Sequence, residues 1–400
     1  MLTNRQLFQK YQAQTSDEPL MLEIERAEGI YMYDTEGKTY IDLISGVSVS
    51  NIGHRHPKVV QAVKDQADKY MHLMVYGEYV QSPQVKLSEA IVTLLPDFFE
   101  SCYFVNSGSE ANEGALKLAK RFTKRAKIVA CNNAYHGSTH GALSVMGNEE
   151  FKNSFRPLLP GVNFINFNNE DELLSIDKEV AAVIVEPIQG EAGVILPAND
   201  YLKKLRKRCD EVGALLIFDE VQTGFGRTGA MFAFEHYGII PDIICFAKGL
   251  GGGMPIGAFV SSNEIMSKFT HEPVLGHITT FGGHPVSCAA ALASINVLKA
   301  ESIVDKVNQK GQLFIDNLKH SEFLSFRGKG LFWAIEVESY EFLRVFLSES
   351  IKLGVVFDWF IFDDNHFRIA PPLNITDKQI IETCEILKQA VEKSRAKFNS

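Results

Sequence analysis

Chemical potential is concentrated at position 248. The run Asp242-Ile-Ile-Cys-Phe-Ala-Lys248-Gly-Leu-Gly-Gly-Gly puts a lysine just after an apolar segment and just before a stretch almost free of side chains. Most lysines are solvated surface groups, so a single lysine says little. Here the apolar neighbours would desolvate the ammonium and lower its pKa, and the glycines leave room for a ring bonded to it. Those are the needs of a nucleophilic amine.

Two other segments could serve such a centre. Leu215-Leu-Ile-Phe-Asp219-Glu220-Val-Gln222 ends an apolar strand in two acids. That places a carboxylate at the C-terminal edge of a sheet, where open α/β folds bind ligands. Asp219 could keep a heterocyclic nitrogen protonated, with Glu220 pointing to the opposite side of the strand. A metal ligand or a loop-capping acid is the alternative for this segment alone. Asn106-Ser-Gly-Ser-Glu-Ala-Asn-Glu113 follows the apolar Phe104-Val105 and opens a helix. Its unpaired N–H groups and the positive end of the helix dipole suit a phosphate. Gly108 permits close backbone approach, and Ser107 and Ser109 offer hydroxyls; a plain serine N-cap is the simpler reading.

These segments need a frame, and the chain supplies a rhythm for one. Residues 127–131, 180–185, 214–218, 243–247 and 257–260 read as buried strands. Apolar stripes at helical spacing mark residues 57–70, 111–122 and 202–212. Such alternation predicts an α/β fold with a mostly parallel central sheet covered by helices. Earlier, Tyr31-Met-Tyr-Asp and Thr39-Tyr-Ile-Asp flank Glu36-Gly37-Lys38, a hairpin pattern. The C-terminal quarter changes rhythm: a helix from about Leu292 into the low 300s, a strand over 331–337, and a final helix after Thr376, whose spacing to Gln379 fits a capping box. A chain of 400 residues exceeds one ordinary core. The expectation is a large domain over 50–295 and a smaller α+β domain from 1–49 with 296–400. No internal repeat or low-complexity linker is visible.

Bulk properties exclude several classes. A net charge of -9 argues against nucleic acid as partner, because phosphate neutralisation needs a basic face. No apolar run reaches bilayer-spanning length, and the polar N-terminus lacks a signal-peptide core. Six scattered cysteines without metal or disulfide spacing read as reduced thiols of a cytoplasmic protein. Gly224-Phe-Gly226-Arg-Thr-Gly229 matches a dinucleotide fingerprint, but it does not follow its strand directly, and two carboxylates would repel a pyrophosphate. His54 and His56 have no further ligands nearby in sequence, so a structural role is expected and no metal site.

With these segments in view, residues 29–373 resemble the class-III (ornithine, acetylornithine, GABA and putrescine) aminotransferases of the fold-type-I pyridoxal-phosphate family. The likeness runs through Gly37-Lys-Thr-Tyr-Ile-Asp, Gly53-His-Arg-His-Pro, Asn106 to Glu113, Tyr135-His-Gly and Glu186-Pro-Ile-Gln-Gly-Glu191. It continues through Asp219 to Gly229, Lys248-Gly-Leu-Gly-Gly-Gly, Thr280-Phe-Gly-Gly and Arg368-Ile-Ala-Pro-Pro-Leu. The resemblance implies pyridoxal 5'-phosphate as cofactor, with Gly108 and Ser109 on its phosphate, Tyr135 stacked on its ring, Asp219 on the ring nitrogen and Gln222 on the ring hydroxyl. Lys248 would hold it as a Schiff base, and Thr280 would reach the phosphate of a neighbouring subunit, hence a homodimer or larger homo-oligomer. Glu191 and Arg368 resemble a gatekeeping pair in which arginine binds a carboxylate of 2-oxoglutarate and glutamate neutralises it otherwise; a plain ion pair is the bland alternative. The implied reaction moves an amino group from a small-molecule donor to 2-oxoglutarate, with an epimerase, mutase or decarboxylase on the same fold as the alternative.

The sequence departs from the family where donors are chosen. Acetylornithine- and ornithine-using members usually carry arginine three residues after the ring-stacking aromatic, and here that position is Ser138. A serine cannot form a bidentate ion pair with a substrate carboxylate. The family's early substrate tyrosine corresponds to Asp17, and the usual Gly-Gly-Asn-Pro reads Gly282-Gly283-His284-Pro285. These changes point to a diamine, lysine or another ω-amino donor, with Asp17 favouring a cationic tail; acetylornithine and ornithine stay in view.

Overall fold

Strands buried on both faces cannot alternate apolar with polar residues, and the near-continuous apolar runs become the middle of one sheet. The computed structural model describes residues 2–399. The central sheet contains β1 (Ser101–Val105), β2 (Lys127–Cys131), β3 (Val162–Ile165), β4 (Val180–Val185), β5 (Leu215–Asp219), β6 (Ile243–Phe246) and β7 (Gly257–Ser261). Their order is β1-β7-β6-β5-β4-β2-β3. Only β7 runs against its neighbours β1 and β6; the contacts from β6 through β5, β4 and β2 to β3 are parallel. Six strands therefore end at the same edge. The expected mostly parallel α/β sheet is present.

The helices at Pro57–Lys69, Gly108–Thr123 and Tyr201–Val212 follow the apolar stripes closely. Thr376 and Gln379 close the expected capping box at the start of Asp377–Phe398. Some boundaries need correction. The strand placed at 214–218 lies one residue later, and the strand from 243 stops at Phe246. The helix expected from Leu292 begins at Pro285 and ends at Ala300. Its first turns, Pro-Val-Ser-Cys-Ala-Ala, are buried on nearly every side, so no periodic stripe announced them. This helix runs through position 295, where a change of domain was expected. Edge strand β3 has only Ile165 fully buried, too little pattern to read.

Both chain ends build the remaining sheets. The expected hairpin, Tyr31–Asp34 against Thr39–Asp42, pairs further with Ile24–Glu28 and, in parallel, with Val355–Val356. A second sheet joins Phe326–Lys329, Phe332–Glu336, Asp358–Phe360 and Asp363–Ile369, all antiparallel. Arg227 ties these parts to the central sheet. Its guanidinium, wholly buried, donates to Leu331 O at 2.9 Å, Pro371 O at 2.6 Å, Ser45 Oγ at 3.2 Å and Asn51 Oδ1 at 2.7 Å. The segment from Gly224 to Gly229 is thus a clamp made of turns, and no helix opens within it. Among the described residues no single helix is long and apolar enough to cross a membrane.

The helix Gly108–Thr123 lies flat on the sheet because Gly114 has no side chain. A Cβ there would come within 2.3 Å of Phe259 Cε1 on β7. Gly114→Val should therefore lower stability by about 1–3 kcal/mol, the usual cost of overpacking. Denaturant unfolding checks this, and an unchanged midpoint would contradict the packing argument.

Candidate active site

Because six strands end at one edge, segments far apart in sequence meet there. After β1 comes the helix opening at Gly108, after β2 Tyr135 and His136, after β4 Glu186, at the end of β5 Asp219, and after β6 Lys248. They line a cavity of 420 Å³ together with Ser107, Ser109, Asn112 and Gln222. Seven of the sequence-predicted site residues thus share one cavity or its edge: Gly108, Ser109, Tyr135, Asp219, Gln222 and Lys248 line it, and Ser138 donates its N–H to Ser109 Oγ at 3.3 Å.

The carboxylate of Asp219 is 5% exposed and firmly held. Its Oδ2 accepts from Asn112 Nδ2 at 2.7 Å and pairs with His136 Nδ1 at 2.8 Å, while Oδ1 accepts from the Val221 N–H at 2.9 Å. Glu220 does leave on the other side of the strand, where it accepts from Thr223 Oγ1, Ala233 N–H and Phe234 N–H. Burial pushes its pKa up to about 7. Glu220 is the loop-capping acid and Asp219 is the one that faces the cavity.

At the phosphate-like end, Ser107 Oγ accepts from the Glu110 N–H at 3.2 Å, so the serine N-cap also exists. The cap leaves the first helical N–H groups, those of Gly108 and Ser109, without acceptors in the helix. Gly137 crosses directly over Ser109: its φ is +123° and a Cβ would lie 2.0 Å from Ser109 Oγ. At the opposite end Lys248 has φ +44°, a left-handed conformation rare outside glycine. Burial lowers its pKa, helped by the charge of Arg368 and opposed by Glu191 and Asp219. Among the described residues nothing hydrogen-bonds to its amine.

Arg368 and Glu191 form a pair behind the lysine, joined by Nη2–Oε2 at 2.8 Å, with Arg368 1% and Glu191 6% exposed. Arg368 Nε lies 3.4 Å from Asp358 Oδ1, and Nη1 has no hydrogen-bond partner among the described residues. Burial opposes the charge of Glu191, but Arg368 and Lys248 outweigh it and hold its pKa below the usual value. Thr280 is exposed and outside the cavity lining; its neighbour Thr279 accepts from Asn106 Nδ2 at 3.1 Å. Asp17 is exposed and lines neither this cavity nor the one beside Ser138. His54 pairs with Asp42 at 2.7 Å, a structural contact. No group of three or more His, Cys, Asp or Glu side chains among the described residues is arranged to hold a metal ion.

These residues fit pyridoxal phosphate. Among the described residues two helical N–H groups lack acceptors, Gln222 Nε2 and His136 Nε2 are buried without partners, and an amine with lowered pKa stands opposite a fixed carboxylate. Sequence reasoning missed Asn112, His136 and Glu186 as parts of the site. Asn112 could have been found, since it lies four residues after Gly108 on the same helix face. His136 and Glu186 carried no signal beyond their place in the motifs.

Sequence and structure comparisons agree with this geometry. A family model for class-III aminotransferases matches residues 11–391. The chain is 38% identical over 389 residues to an acetylornithine aminotransferase of Caldanaerobacter subterraneus subsp. tengcongensis, covering 94% of this chain and 96% of that one. It superposes on the ornithine aminotransferase of Toxoplasma gondii with a TM-score of 0.91 at 30% identity, over 98% of this chain and 94% of the other. An amine transaminase from an uncultivated Pseudomonas species, solved with pyridoxal phosphate bound, gives 0.89 at 27% identity, over 96% and 99% of the two chains.

Glu186 provides a test of the site's electrostatics. It accepts from Tyr135 N–H at 3.0 Å and Gly190 N–H at 2.8 Å, and burial raises its pKa from 4.5 to about 7. Between those values the folded chain binds a proton that the unfolded chain has released. Stability from this group is thus complete below pH 4.5 and is lost as pH rises through 7. In Glu186→Gln the fall of Tm between pH 5 and pH 8 should be shallower than in the parent; equal slopes would refute the assignment.

Proposed function

The chain belongs to the class-III aminotransferases, pyridoxal-phosphate enzymes of fold type I, and we propose that it transfers the amino group of an ω-amino donor to 2-oxoglutarate. The carrying observation is the buried Arg368, paired with Glu191 through one nitrogen and open at another, within electrostatic reach of Lys248. Pyridoxal phosphate, when bound, supplies an aldehyde for the donor amine and a ring that takes up the electron pair left at the carbon bearing nitrogen.

The protein's own groups do the rest. The Gly108 and Ser109 N–H groups would bind the phosphate, and Tyr135 would lie against the ring. Asp219, held by Asn112 and His136, would keep a proton on the ring nitrogen, and Gln222 Nε2 would donate to the ring hydroxyl. Lys248 would hold the cofactor through its aldehyde, and its free amine would move the proton at the donor carbon, a task its lowered pKa suits. Arg368 binds a carboxylate of 2-oxoglutarate, and Glu191 neutralises it while the donor is bound.

A homodimer follows from the same reading. Met71, Leu73, Tyr79 and Val80 are exposed, as are Ile278 and Phe281, and the two segments touch where the His72 and Phe281 rings lie 4.8 Å apart. An apolar patch of this kind marks an interaction surface. Thr280 is exposed on this patch between Ile278 and Phe281, and by the family resemblance it would reach the second copy's phosphate.

A panel of amino donors with 2-oxoglutarate, scored by glutamate release, tests the reaction. Lys248→Ala should lose at least about 100-fold in kcat, since it removes the proton carrier. Arg368→Ala should weaken 2-oxoglutarate use, kcat/KM falling by about 30-fold or more, the scale of losing one partner of a buried charge pair. Unchanged kcat/KM for 2-oxoglutarate in that variant would remove its proposed role.

A further inference from the structure

We infer that the donor's distal end is apolar and uncharged, and that a pocket formed by Leu143, Met146, Phe151, Phe155 and Ile361 around Ser138 receives it. The inference rests on the aminotransferase reading above and names the donor class for that same site. The pocket has a volume of 330 Å³ and includes Tyr135, which also lines the reaction cavity. A donor with its amine at Lys248 can therefore extend past Tyr135 into the second space. A cavity of about 150 Å³ suffices for benzene, so an aryl or branched alkyl group fits this one.

The lining decides the chemistry. His140 is its only ionisable side chain apart from the Tyr135 phenol, and no carboxylate, lysine or arginine among the described residues lines it. Ser138 is already engaged, its Oγ 3.3 Å from Tyr135 Oη. Phe151, Phe155 and Ile361 are themselves partly exposed, so a carboxylate or ammonium tail would shed part of its water against these apolar walls without gaining an ionic partner. Each methylene of an apolar tail would instead strengthen binding by about fourfold. Asp17, the acid that could have favoured a cationic tail, stands outside the lining and exposed.

One wall of the pocket hangs on the gatekeeping pair. The Ile361 N–H donates to Glu191 Oε2 at 3.3 Å, the oxygen that also accepts from Arg368, and the Phe362 N–H donates to Glu191 O at 3.1 Å. Phe362 then meets Phe151 edge to face at 5.2 Å. A donor without a carboxylate leaves Glu191 on Arg368, so the wall stays in place.

The holoenzyme should show kcat/KM for 2-phenylethylamine at least about tenfold above those for 4-aminobutanoate, 1,4-diaminobutane and N-acetylornithine, from the fourfold gain per methylene. Ser138→Arg should reverse the order of 2-phenylethylamine and 4-aminobutanoate, and Phe155→Ala should lower 2-phenylethylamine use selectively. Calorimetric titration with the unreactive alcohols 2-phenylethanol and 4-hydroxybutanoate reads the pocket without turnover; the first should bind and the second should not. A charged-tail donor equal to or better than 2-phenylethylamine, or an unchanged ratio in Ser138→Arg, overturns the pocket while leaving transamination standing. No glutamate from any donor overturns the transfer to 2-oxoglutarate, and the alcohol titration then decides the pocket alone.

Discussion

A carboxylate buried at the end of β5 constrains everything around it. An acid as hidden as Asp219 keeps a fixed position only when its lone pairs are met by donors, and here Asn112, His136 and the Val221 N–H meet them. Those donors come from the helix after β1, the loop after β2 and the turn after β5. The requirement for three partners thereby locks three segments together at the strand ends. The same edge holds Lys248 after β6, so the amine and the carboxylate face one cavity.

Charge is distributed in a graded way behind that centre. Arg368 sits between Glu191 and Asp358, and burial raises the pKa of Asp358 to about 6 although the guanidinium opposes it. Arg227 does the opposite work: with only neutral oxygens as direct partners, it is purely a clamp, and burial lowers its pKa to about 9. Through Pro371 and Asn51 it fixes the strand that carries Arg368 against the turn that follows β5. Gly249, next to Lys248, packs on Asn51 as well. Lysine and arginine thus share one mechanical support, which fixes the guanidinium relative to the amine.

Some of this was legible in residue order and some was not. Fully buried strands such as Val180–Val185 announce themselves because burial on both faces leaves only apolar residues. The capping box at Thr376 is local chemistry and needed no tertiary knowledge. The start of the helix at Pro285 was hidden because a helix buried all round has no polar face to set its period. His136 was hidden for another reason: a histidine beside an aromatic has many uses, and only the approach of Asp219, 83 residues away, selects one.

Order along the chain therefore determined the class of sheet, the three segments that carry the amine, the acid and the anion-binding turn, and the family they resemble. Those are properties of local pattern, since period, turn residues and strand ends depend on neighbours in sequence. The tertiary structure decided which of two adjacent acids faces the cavity, which groups hold Asp219, how Glu191 supports both Arg368 and Ile361, and that Ser138 opens onto an apolar pocket. Each of those depends on distances between residues tens to hundreds of positions apart, and only packing sets such distances.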